Sequence, residues 1–141
     1  MELIEAQQLL AQYGYTQITE TRSEQYHEYL YSDGCVFVQL QEALRYSLEG
    51  RCNMIRISVN VTGTYRELDR FQQEHQLTGG FNPCPGQVEL INWDIRMGLD
   101  PTRGIEALDR VLINVKAFDV RPGVVEVWSS CLGTLQTVSP V

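Results

Sequence analysis

The stretch 54–62 constrains the fold most strongly, because apolar and polar side chains alternate along it. Ile55, Ile57, Val59 and Val61 take every second position, and Arg56, Ser58, Asn60 and Thr62 lie between them. Successive side chains of a β-strand point to opposite faces, so this pattern predicts a strand with one buried face. Burial of one face is typical of antiparallel sheets. We therefore expect an antiparallel sheet whose inner face is covered by other elements.

The residues directly after this strand predict a helix. Gly63 ends the strand, and Thr64 and Glu67 have the spacing of a capping box. In that motif the threonine side chain accepts from the glutamate backbone N–H, and the glutamate side chain accepts from the threonine backbone N–H. The spacing predicts a helix from Thr64 to His75.

A hairpin and a second helix are expected further along the chain. The turn at Pro83–Gly86 precedes a predicted strand at 87–97. Asp100-Pro101 supplies an N-cap acceptor followed by a proline at the first helical position, so a helix is predicted from there to Phe118.

The residues before the central strand predict a helix and a β-hairpin. Residues 2–13 have the spacing of an amphipathic helix. The polar, tyrosine-rich stretch 15–31 predicts an exposed strand or pair of strands, followed by a turn at 32–34 and a strand at 35–40. The stretch 41–48 fits either a short helix or a continuation of the strand.

Together these patterns predict an α+β fold with the order α-β-β-β-α-β-β-α plus a C-terminal strand. That last strand corresponds to Val124–Trp128, and the tail 132–141 is expected to be frayed. Apolar helix faces and one-sided strands imply a twisted antiparallel sheet with helices packed on one face. A length of 141 residues is that of one domain, so we expect residues 1–141 to form a single α+β domain.

The charge balance argues against nucleic acids and membranes as partners. The chain has 18 acidic and 11 basic residues and a net charge of −7. An acidic chain repels phosphate backbones and anionic lipid surfaces. No stretch approaches the ~18 consecutive apolar residues of a membrane span, and the first residues lack the features of a secretory signal. We therefore expect a cytoplasmic protein that binds neither.

The sequence contains no motif that carries recognisable chemistry. His27 and His75 lack the spacing of a metal-binding helix, and the cysteines form no C-x-x-C pair. Cys84 lies in a proline-rich turn without a neighbouring cation, which predicts an inert thiol. Three carboxylates near the first histidine are expected to face solvent: Glu20, Glu24 and Glu28. We expect no catalytic residue, no metal and no cofactor.

Aromatic residues around the predicted hairpin suggest a binding surface. Tyr29 and Tyr31 share one face of their strand, and Phe37 lies on the strand after the turn. If the three share a face, they form an exposed aromatic strip of the kind enriched at protein interfaces. The alternative is internal packing, with that face covered by residues 41–48 or by the C-terminal strand.

The order of elements over residues 2–119 resembles the secretion-chaperone-like fold of type III secretion chaperones and bacterial sensory-transduction regulators. The resemblance is carried by the strand Met54–Thr62, the helix Thr64–His75, the hairpin around Pro83–Gly86 and the helix Pro101–Phe118. It implies a small acidic cytoplasmic homodimer that binds a segment of another protein and catalyses no reaction.

Two functions therefore follow as expectations. The first is a non-enzymatic protein-binding module, chaperone-like or regulatory, that acts on another protein of unknown identity. The second is a small ligand-binding domain or enzyme with a pocket between sheet and helices, lined by Trp93, Asp94 and Arg96.

Overall fold

The protein is described by a computed structural model that covers residues 2–44, 50–80, 88–95 and 103–139. Several predicted features lie outside these segments: the turn Pro83–Gly86 with Cys84, the side chain of Arg96, and the helix start Asp100-Pro101.

The described segments have an α+β fold, and their element order agrees with the predicted one. The elements are α1 (Leu3–Gln12), β1 (Thr16–Arg22), β2 (Tyr26–Ser32), β3 (Val36–Ala43), β4 (Cys52–Thr62), α2 (Tyr65–Glu74), β5 (Leu77–Gly80), β6 (Val88–Ile95), α3 (Arg103–Asn114), a 3-10 turn (Val115–Ala117), β7 (Asp119–Arg121), β8 (Val125–Ser129) and β9 (Thr134–Val138). None of the helices in these segments is long and apolar enough to span a membrane.

The strands form one large curled sheet and one separate hairpin. The large sheet has the order β1-β2-β3-β4-β6-β5, and β7 pairs with the end of β4. All of its pairs are antiparallel, as predicted. β8 and β9 pair with each other in the hairpin. The predicted stretch 15–31 is thus a pair of strands. β3 continues through Ala43, into the stretch 41–48 for which the sequence fits either a helix or a strand.

The main core lies between one face of the large sheet and the three helices. The four alternating apolar residues of β4 are fully buried in it, which confirms the pattern read from the sequence. α1 contributes Leu3, Ala6 and Leu10, α2 contributes Leu68 and Phe71, and α3 contributes Leu108, Val111 and Leu112. Burial of these side chains supplies the main driving force for packing the helices on this face.

The C-terminal residues differ from the prediction of one strand and a frayed tail. Residues 134–138 form β9, which pairs with β8 along its length. Burial alternates along β8, and Val125 and Val127 face inward. These valines pack with Leu30 and Phe37 in a second apolar cluster on the sheet face opposite the helices. β9 is therefore held in place because its hairpin covers an apolar patch that would otherwise face water.

The start of α2 confirms the predicted capping box. Glu67 N donates to Thr64 Oγ1 at 3.2 Å, and Thr64 N donates to Glu67 Oε2 at 3.3 Å. Each side chain thus satisfies a backbone N–H that has no partner within the helix.

Removal of this cap is expected to lower stability. Thr64→Ala should decrease the free energy of unfolding by about 1 kcal/mol, because the N–H of Glu67 loses its acceptor. Urea titration followed by circular dichroism measures the change. Thr64→Ser keeps the acceptor and is the matched control; an equal loss in both variants would show that the hydroxyl does not act as a cap.

Candidate functional site

The predicted aromatic strip is wrong, because its members lie on opposite faces of the sheet. Tyr31 of β2 lies opposite Val38 of β3, and Tyr29 lies opposite Leu40, so both tyrosines take the helix side. Phe37 lies opposite Ser32 and is buried under the β8–β9 hairpin. The register pairs odd-numbered residues of β2 with even-numbered residues of β3, and directly opposite residues share a face. The alternative of internal packing under the C-terminal strand describes Phe37 correctly.

The structure describes the position of only two of the three residues predicted to line an alternative pocket. Trp93 and Asp94 belong to β6, where they lie opposite Ile57 and Arg56 of β4. Arg96 lies outside the described residues. A pocket lined by these three side chains therefore stays a prediction.

A cavity of about 280 Å³ lies on the sheet face opposite the helices, under the β8–β9 hairpin. Its sheet side is formed by residues of β1, β2 and β3, which include Thr19, Leu30 and Gln39. Its hairpin side includes Val127 and Val138, the valines that attach the hairpin to the sheet. The cavity thus lies between the large sheet and the hairpin. The pocket expected from the sequence would lie on the other face, between the sheet and the helices.

The carboxylate of Glu28 fixes the hairpin turn onto the sheet. Glu28 was expected to face solvent, but only 4% of it is exposed. Its Oε1 accepts from Ser129 Oγ (2.7 Å) and Cys131 N (3.1 Å), and its Oε2 accepts from Ser130 N (3.1 Å), Gln39 Nε2 (3.3 Å) and Gln41 Nε2 (3.3 Å). Five donors saturate the two oxygens, so the buried charge is compensated by hydrogen bonds.

These contacts determine the ionisation of Glu28. Burial raises the pKa of its carboxyl, because the charged form loses hydration. The hydrogen bonds from Ser129, Cys131 and Ser130 oppose this effect, and the resulting pKa lies below the usual 4.5. Glu28 is therefore a carboxylate at neutral pH.

Gln39 extends this network and has one unpaired atom. Its Nε2 donates to Glu28 Oε2 and to the backbone oxygen of Trp128 at 3.1 Å. Both partners are acceptors, so the amide NH₂ must face them. Its Oε1 is buried and accepts from no donor in the part of the chain that the structure describes.

A second polar cluster surrounds His27 on the helix side of the sheet. Its Nε2 lies 2.6 Å from Glu20 Oε1, and its Nδ1 lies 2.8 Å from the Tyr29 hydroxyl and 3.3 Å from Glu42 Oε1. Glu42 Oε2 in turn accepts from Gly50 N at 2.6 Å. The cluster therefore ties β1, β2 and β3 to Gly50, two residues before β4.

The His27 cluster does not have the arrangement of a metal site. Glu20 and Glu42 contact opposite ring nitrogens, so they do not converge on one point from which an ion would be bound. Among the described residues, no group of three or more suitable side chains is arranged to hold a metal ion. His75 has other partners: its Nδ1 contacts the Phe71 backbone oxygen at 3.0 Å, and its Nε2 contacts Asn114 Nδ2 at 3.1 Å.

The outer face of the hairpin exposes two large apolar side chains. Trp128 of β8 and Leu135 of β9 lie directly opposite each other and are 43% and 59% exposed. Glu126 lies on the same face of β8 and is the one charged residue in the sequence after Arg121. An acidic chain thus carries a nearly uncharged, partly apolar surface at its C-terminal end.

The chain matches no protein-family model, and no curated protein or solved structure matches it at a significant level. The resemblance to the secretion-chaperone-like fold therefore stays a prediction.

Loss of the Glu28 charge is expected to destabilise the hairpin. Glu28→Gln should decrease the free energy of unfolding by about 2 kcal/mol at pH 7, because donors that face a carboxylate would meet an amide NH₂. The folded-state pKa is depressed, so the charge contributes fully above the unfolded pKa of about 4.5 and progressively less as the pH falls through the folded value. The difference in the free energy of unfolding between wild type and Glu28→Gln should therefore become smaller as the pH falls below about 4.5.

Urea titrations at a series of pH values from neutral to acidic measure this effect. Glu24→Gln is the matched control, because Glu24 is exposed in the turn before β2 and should change stability by less than about 0.5 kcal/mol. A destabilisation of Glu28→Gln that is independent of pH would contradict the role of the charge.

Proposed function

We propose that the chain is a non-enzymatic protein-binding module that binds an extended segment of another protein along β9. The observation that carries this proposal is the exposed pair Trp128 and Leu135 beside a strand edge. In the described part of the chain, β9 pairs with β8 alone, so its second edge presents unpaired backbone groups. An added strand would pair with these groups and place alternate side chains against the apolar pair.

The edge of β9 lacks the features that protect an exposed strand from pairing. Its five residues, Thr134 to Val138, include no charged residue and no proline. By contrast β1, which forms an edge of the large sheet, contains Glu20 and Arg22 and has a register shift between Gln17 and Thr19. Charges and bulges are the usual means by which edge strands avoid new partners. The contrast favours β9 as the edge that is kept available.

Charge favours a different protein over a second copy of this chain. Two copies with a net charge of −7 each repel one another, although salt screens much of this repulsion. Glu126 adds a negative charge on the outer face of β8. We therefore propose a partner segment with apolar residues at alternate positions and basic residues nearby. The expected homodimer is the competing occupant of the same edge.

Selection from a library of displayed random peptides tests this proposal. Peptides that bind should have apolar residues at every second position and should carry a positive charge. Their affinity is then measured by fluorescence anisotropy with synthetic labelled peptides. Leu135→Lys should weaken binding by about tenfold or more, because a lysine opposes both the apolar contact and the basic partner.

Ile113→Lys is the matched control, since Ile113 is 55% exposed on α3 and does not belong to the hairpin. It should leave the affinity unchanged. Equal binding by wild type and Leu135→Lys would overturn the proposal. Sedimentation that shows a dimer dissociated by Leu135→Lys, together with no selected peptide, would assign the edge to a second copy instead.

A further inference from the structure

The cavity under the hairpin has the composition of a small binding site. Much of its wall is apolar and is contributed by Ile18, Leu30, Val127, Leu132 and Val138. Its volume of about 280 Å³ is close to the lower limit of ~300 Å³ that is common for small-molecule pockets. A compound of one or two small rings matches this volume.

Charge restricts the kind of molecule that can enter. Among the described residues of the wall, Glu28 is the one with a charged side chain. Its oxygens already accept five hydrogen bonds, so they offer no free acceptor to a cation. Its negative charge disfavours an anion at the same place. The cavity is thus suited to an uncharged molecule.

Gln39 offers an unpaired hydrogen-bond acceptor at the site. Its side chain forms part of the wall, is 5% exposed, and its Oε1 lacks a donor among the described residues. An unpaired buried acceptor is unfavourable, because it has lost its hydration and gained no hydrogen bond in return. Rotation of the amide cannot relieve this, because its Nε2 is held by Glu28 and by the Trp128 backbone oxygen. A donor brought by a bound molecule would satisfy the atom.

We propose that this cavity binds a small, uncharged, largely apolar molecule that donates one hydrogen bond to Gln39 Oε1. The site is separate from the strand edge of the proposed function: it lies under the hairpin, and the exposed Trp128 and Leu135 lie on the outer face.

Indole and indene test the hydrogen bond directly. The two compounds have nearly the same shape, but only indole has an N–H donor. Indene is the more apolar of the two, so a purely hydrophobic cavity would prefer it. Hydrogen bonding to Gln39 Oε1 should reverse that order and make indole bind about fivefold to tenfold more tightly, as measured by isothermal calorimetry on the full chain.

A substitution in the wall locates the site. Thr19 of β1 lies opposite Leu30 and shares its face, so Thr19→Trp should place a ring in the cavity and abolish indole binding. Ile4→Trp adds the same ring on an exposed position of α1 and should leave binding unchanged. Circular dichroism confirms that both variants are folded.

Each result decides the proposal. Preference for indole with loss of binding in Thr19→Trp supports it. Equal binding of both compounds, or tighter binding of indene, would overturn the role of Gln39. Absence of binding of either compound up to its solubility limit, or indole binding that survives Thr19→Trp, would overturn the cavity as a ligand site.

Discussion

The buried carboxylate of Glu28 joins two parts of the chain that are 101 to 103 positions apart in the sequence. A carboxylate in such a place is unfavourable by several kcal/mol unless donors surround it. Three of its five donors belong to the end of β8 and the turn that follows it, namely the Ser129 hydroxyl and two backbone amides. The charge therefore specifies both the position and the conformation of that turn. The apolar cluster around Phe37, and with it the cavity, depends on the hairpin being held there.

His27 and Glu28 are neighbours in β2, and their side chains lie on opposite faces of the sheet. Because side chains alternate along a strand, the imidazole lies on the helix side and the carboxylate lies under the hairpin. Each is surrounded by polar partners from adjacent strands, with Glu20 and Glu42 at the first and Gln39 and Gln41 at the second. His27, Glu28 and Glu42 are buried, so their hydrogen bonds must be made within the protein. The partners on the adjacent strands thus allow polar residues to be buried in strands whose sequences look exposed.

Features that depend on neighbouring residues were predictable from the sequence, and features that depend on distant pairing were not. The alternation in β4 and the capping box at Thr64 involve residues within a few positions of each other, and both are confirmed. The face taken by Tyr31 depends on the register of the β2–β3 hairpin, which one residue more or less in the turn would reverse. Burial of Glu28 required knowledge that residues 129–131 fold back over it. A buried glutamate and an exposed one look the same in a single sequence.

The unexpected strand β9 illustrates the same limit and connects the two proposed sites. Its sequence, Thr-Leu-Gln-Thr-Val, is too short and too polar to indicate a strand without its partner β8. Once paired with β8, β9 has a second edge to which no other described strand pairs, and it helps to enclose the cavity through Gln136, Thr137 and Val138. The side-chain amide of Gln39 donates to the Glu28 carboxylate, which holds the hairpin, and to the backbone oxygen of Trp128 in β8. A molecule that donates a hydrogen bond to Gln39 Oε1 would therefore contact a side chain that holds the hairpin in place. The proposed partner segment would bind at the edge of that same hairpin. Any coupling between the two sites has a short physical route, through one side chain and one strand.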